Sequence, residues 1–270
     1  KFRDEFPNQF LNSGIAEQNT ISVAAGLASS GYTVFVYSII PFVTMRCFEQ
    51  VRLDLAYNNT NVKLVGIGAG LTYGSLGVSH HAIEDIAIMR SIPNMTVLCP
   101  GDPIETRELV KRSYEKNGPV YIRLGKNGEA DIHDANTRIE IGKSIEITQG
   151  TDFALITTSN TLELGKQWID EWKNENLSVS LISMPSIKPF DNLKIDELLS
   201  KQMPVMTLEE HNIIGGLGSC VAEIIATSEK SVPFKRVGIN DTFSHSVGNH
   251  NYQRKMINFN EKPSVDFLKK

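Results

Sequence analysis

The 270-residue sequence has only three cysteines, Cys47, Cys99 and Cys220, set far apart with no C-x-x-C pair. That scarcity argues against a thiolate metal centre, and it suits a reducing, cytoplasmic setting. Long apolar runs are absent too. The most apolar stretch, VFVYSIIPFV (34–43), is too short to cross a bilayer and contains Pro41. No basic block offsets a net charge of -4, which argues against a nucleic-acid surface. Tandem repeats, G-x-G-x-x-G at a helix start and G-x-x-x-x-G-K-[ST] are all missing, so neither a solenoid nor a standard nucleotide cradle is indicated. The opening KFRDEFPNQF is polar and lacks a leading strand, which suggests that a preceding segment is missing from this numbering.

What the sequence does contain is alternation. The β-branched runs YTVFVYS, VKLVGI, MTVLCP and VYIRLG read as strands, separated by helical patterns at 17–29, 44–58, 83–91 and 103–116. A polar connector follows. Beyond it, DFALITTS, LSVSLISM, PVMTLEE and FKRVGIND alternate with helices near 161–174, 195–201 and 217–228. Leu164, Trp168 and Trp172 recur four apart and should face a sheet. The expected fold class is α/β, with two open, mostly parallel sheets: one domain over 1–128, a linker over 129–150 holding at most a hairpin, and a second domain over 151–270.

Five segments could carry chemistry. Glu17 opens the small-residue helix of GIAEQNTISVAAGLASSG, where an acid can simply complement the helix dipole. The glycine-rich GIGAGLTYGSLG follows a strand, where open sheets bind ligands. It runs into SHHAIED, whose His80 and His81 lack the third ligand that zinc usually needs; a proton shuttle or polar clamp fits better than a metal. LEEHNIIGGLGSC sets Glu209, Glu210 and His211 before a glycine turn, as an acid–base pair or, more naturally, a subunit-contact or anion-binding turn. Arg123 and Lys126 in PVYIRLGK could meet a phosphate or pair with a surface acid.

In combination these segments resemble the transketolase family of thiamine-diphosphate enzymes, through G-I-A-E-Q at 14–18, SHHAIEDIAIMRSIPNMTVLCPGD, GPVYIRLGK and LEEHNIIGGLGSCVAE in the family's order. Deoxyxylulose-phosphate synthases and split transketolases are similar. The resemblance implies that 1–128 is a pyrimidine-binding domain and 151–270 the transketolase C-terminal domain. It implies that Glu17 hydrogen-bonds N1′ of the cofactor's aminopyrimidine and so helps generate the nucleophile at C2, aided by an apolar wall of Ile15 and Ala16. Phe42 would stack on the pyrimidine, His80 would contact substrate and reacting centre, and Arg46 and Arg123 would contact substrate.

Two family features are altered: Ser75 and Leu76 replace an acidic loop residue, and a phosphate-gripping histidine is absent near Gly68. No G-D-G with its later Asn exists to hold the diphosphate through Mg2+ or Ca2+. That role falls to a partner, an N-terminal diphosphate-binding subunit in an α2β2 complex. The expected activity is transfer of a two-carbon ketol unit between sugars or sugar phosphates. The alternatives are a 2-oxoacid dehydrogenase β-subunit and a catalytically silent homologue.

Overall fold

Parallel strands buried on both faces need near-continuous apolar runs, and VKLVGI, FALIT and VSLIS supply them. In the computed structural model, which describes residues 1–126 and 128–269, these runs lie at or near the centres of two five-stranded sheets. The first sheet has the order β1 (Val34–Ile39), β2 (Val62–Ile67), β4 (Val120–Leu124), β3 (Thr96–Leu98) and β8 (Ser186–Lys188). The first four are parallel; β8 runs antiparallel to β3. The second has the order β10 (Phe234–Ile239), β9 (Val205–Asn212), β6 (Phe153–Thr157), β7 (Val179–Ser183) and β5 (Ile145–Thr148). Only β5 is antiparallel there, against β7.

The Glu17–Ser29 helix buries Ile21, Ala24 and Ala25, and its small side chains let it lie close to the first sheet. On the Leu162–Asn174 helix, Leu164, Trp168 and Trp172 are buried as their spacing requires, with Trp172 edge-on to Phe153 at 5.0 Å. One apolar core runs unbroken from Ile21 through Leu64 and Val97 to Ile182 and Leu217, so the two halves share an interior.

Two expectations are modified. The connector includes β5, which joins the second sheet, and β8 of the second half completes the first sheet. The helix expected over 44–58 is shorter and widens to π geometry over Val51–Tyr57. Side chains of Asn58, Thr60 and Asn94 donate to the carbonyls of Leu53, Leu55 and Ala56, which satisfies backbone groups at the end of the widened turn.

Candidate active site

The residues that could do chemistry gather where β1, β2 and β4 end. The chain turns from β1 into the short Ile40–Val43 helix and presents Phe42 and Arg46; from β2 it enters the glycine loop and reaches His80; from β4 it runs to Lys126. Glu17 arrives from its own helix start. The carboxyl ends of parallel strands are where open α/β sheets bind ligands.

These side chains touch in series. Arg46 Nη1 donates to Glu17 Oε2 at 2.9 Å, and its guanidinium lies 4.2 Å from the centroid of the Phe42 ring. Phe42 meets His80 edge-on at 5.1 Å. Ser79 Oγ stands 3.0 Å from His80 Nδ1, and Tyr73 flanks His80 at 6.2 Å. Lys126 Nζ lies 5.1 Å from the Tyr73 centroid. A carboxylate, an aromatic face, an imidazole and a cation thus line one shelf. The shelf is open: the Arg46 side chain is 46% exposed, although that of Glu17 is only 15% exposed. The apolar wall expected beside Glu17 is not formed within this chain, because Ile15 is 96% exposed.

Arg123 is elsewhere. Its side chain is buried and fully engaged: Nε donates to Asp85 Oδ2 at 2.8 Å, Nη1 to Ser159 Oγ at 2.9 Å, and Nη2 to the carbonyls of Ala82 and Glu210. Tyr121 OH donates to the same Asp85 oxygen at 2.7 Å. The expected substrate contact is therefore corrected to a structural clamp between the two halves: no face of this guanidinium reaches the shelf.

The acid–base pair and anion-binding turn are corrected likewise. Glu209 accepts from the backbone N–H groups of Leu217 and Gly218, so the start of the Leu217–Thr227 helix already holds a carboxylate. Burial pushes Glu209 up to about 7. Glu210 is fully buried, yet the Arg254 guanidinium and the bond with His250 overcome that desolvation and hold it at about 2. His211 is locked by the Asn212 carbonyl at 2.7 Å, and burial lowers its pKa. His81 is also buried, which lowers its pKa, and neither ring nitrogen has a partner. No set of three or more His, Cys, Asp or Glu side chains suited to a metal occurs among the described residues. Nor is any helix among them long and apolar enough to cross a membrane.

Residues 1–128 match the family described as transketolase, pyrimidine binding domain, and 142–260 match the transketolase C-terminal domain. A putative transketolase C-terminal section from Methanocaldococcus jannaschii is 40% identical over 91% of this chain and 77% of its own length. The chain belongs to the transketolase family. Another member, one of the subunits of the apulose-4-phosphate transketolase of Phocaeicola vulgatus, is 37% identical over 89% of this chain and 77% of its own. Among solved structures, a split-gene transketolase described as an inactive β4 tetramer superposes with a TM-score of 0.84 at 37% identity. The match covers 91% of this chain and 79% of that one.

The transketolase family implies thiamine diphosphate, and the shelf fits half of it. Glu17 and Phe42 present a carboxylate and an aromatic face of the kind that could hold an aminopyrimidine, while Arg46 bridges them. An ion pair this exposed is worth about 0–1 kcal/mol, so Arg46 can swing aside cheaply. Tyr73 carried no signal in the sequence. Its ring occupies the space into which a Cβ at Gly68 would project, and Gly68 itself holds φ +99°. Only knowledge of the loop's path could have revealed it.

Proposed function

We propose that the chain is one subunit of a thiamine-diphosphate-dependent transferase of the transketolase type, moving a two-carbon ketol unit between sugar substrates. A partner subunit with the diphosphate-binding domain completes the site, brings Mg2+ or Ca2+, and assembles with it as α2β2. The unbroken contact series Glu17–Arg46–Phe42–His80 at the strand ends carries this reading. Relatives named as a C-terminal section and as single subunits of transketolases support the division of labour. The three thiols, all free and buried, suit the cytoplasm.

When bound, thiamine diphosphate supplies the nucleophile and electron sink for cleaving a carbon–carbon bond beside a carbonyl. The chain's residues do the rest. Glu17 would hold a hydrogen bond at the pyrimidine nitrogen, and Phe42 would offer its face to the ring once Arg46 moved off it. His80, contacted by Ser79 at Nδ1, keeps Nε2 for a substrate hydroxyl. Lys126, farther along the shelf, places positive charge where an anionic tail of the ketose would lie.

The test is reconstitution with the N-terminal subunit and assay on ketose donors and on 2-oxoacids. Ketose turnover is expected. Turnover of 2-oxoacids alone would instead establish the dehydrogenase-type reading, and none at all a silent homologue. Calorimetry should find no micromolar binding of thiamine diphosphate with magnesium to the isolated chain. Such binding would overturn the split site.

A further inference from the structure

The glycine loop that carries His80 is a closed lobe. Gly70 and Ala82 exchange backbone hydrogen bonds at 3.0 and 2.9 Å and pinch its two ends together. What supports the lobe comes from the other half of the chain. Leu71 N donates to Glu210 Oε1 at 2.7 Å, and that carboxylate also accepts from His250 Nε2 at 2.8 Å, Arg254 Nε at 2.5 Å and Asn160 Nδ2 at 3.1 Å. Three residues on, the Gly74 carbonyl accepts from Gly248 N at 3.3 Å and from Gln253 Nε2 at 3.4 Å.

Gln253 is fully buried and its amide is saturated. Nε2 also donates to the Ser246 carbonyl at 2.7 Å, and Oε1 accepts from Ser244 Oγ at 2.6 Å and Ser246 Oγ at 3.3 Å. The fit leaves no slack. A Cβ at Gly74 would lie 2.8 Å from the Gly248 carbonyl oxygen and collide with Gln253, and one at Gly70 would lie 2.5 Å from Glu210 Oε1. A buried amide with every donor and acceptor engaged, as in Gln253, favours one arrangement of its partners.

We infer that Gln253, with the Glu210–His250–Arg254 cluster, is a positioning residue for His80. The second half of the chain props the lobe and thereby sets where the imidazole stands against Phe42 and the donor sugar. This rests on the reading of His80 as a substrate contact. A purely structural role for Gln253 would alter stability and leave the His80 ring where it is.

The experiment uses the chain with 15N-labelled histidine. His80 is assigned through His80→Gln, and His133, buried against Asp102, serves as the internal reference. Gln253→Met keeps the side chain's bulk and removes its hydrogen bonds. The His80 ring signals should shift or broaden while those of His133 stay. In the reconstituted complex the KM for a ketose donor should rise about tenfold with kcat within about threefold. Ser244→Ala, which removes one donor to Gln253, should move His80 in the same direction by less, and it serves if the Met variant does not fold. Unmoved His80 signals in a folded variant, or an unchanged KM, would overturn the inference. If the wild-type complex turns over no ketose, the functional reading fails while the ring signals still decide the prop.

Discussion

At the residue scale, Glu17 and Arg123 show opposite fates for residues that carry the same family resemblance. Glu17 is partly exposed and paired only with a half-exposed Arg46, so Glu17→Gln should cost under about 1 kcal/mol of stability. Deuterium exchange at cofactor C2–H in the reconstituted complex should nevertheless slow by about two to four orders of magnitude, the scale of a lost acid–base group. Near-wild-type exchange would return Glu17 to the part of a helix-end charge. Arg123 should behave in reverse. Arg123→Met leaves Asp85 buried without its cation, a loss of about 3–5 kcal/mol by urea unfolding. The place of Glu17 at a helix start was legible in the sequence, because an acid heads a run of small residues at helical spacing. Arg123 was not, because strand alternation says which face a side chain takes but not whether another domain covers that face.

At the scale of elements, long periodic segments could be read directly, since a thirteen-residue helix such as Leu162–Asn174 repeats its apolar stripe over several turns. β5 and β8 could not. They have four and three residues, and their pairing with β7 and β3 is decided by partners distant in sequence. The Leu217–Thr227 helix gives the clearest element-scale test. Its first amides are neutralised from within by Glu209, so Glu209→Ala strands two buried N–H groups. The expected loss is about 1–3 kcal/mol, seen as a lower urea midpoint at unchanged slope. Tight phosphate binding to the wild-type turn would contradict the internal cap.

For the whole molecule, pH should act through a buried cluster at the junction of the halves. Asp102 accepts from Glu105 N, His133 N and His133 Nδ1, and Glu105 accepts from Ser183 Oγ and Gly101 N. Burial pushes Glu105 up to about 7 from an ordinary 4.5. Burial alone would lower His133, but its bond to Asp102 and the charge of Glu105 prevail and raise it. Both groups hold their protons more tightly folded than unfolded. Their contribution is complete below the unfolded values of 4.5 and 6.5 and is lost as pH rises through the folded ones. Asp102 and Glu210, held at about 2, act oppositely and lose theirs as pH falls toward that value. The melting temperature should therefore have an alkaline limb, falling as pH rises through about 7, and an acid limb, falling as pH drops toward about 2. Glu105→Gln, whose amide can serve both Gly101 N and Ser183 Oγ, should flatten the alkaline limb. An unchanged limb would assign the fall to other groups.

The strand that the second half lends to the first sheet bears on how such a gene can be divided. A cut in the connector would leave β3, every residue of it apolar or β-branched, as a raw edge inviting other strands to pair with it. It would also split a continuous interior and expose both faces. Fission there would yield two sticky fragments rather than two subunits. The two halves, sharing one interior and one sheet, hold together as a single unit.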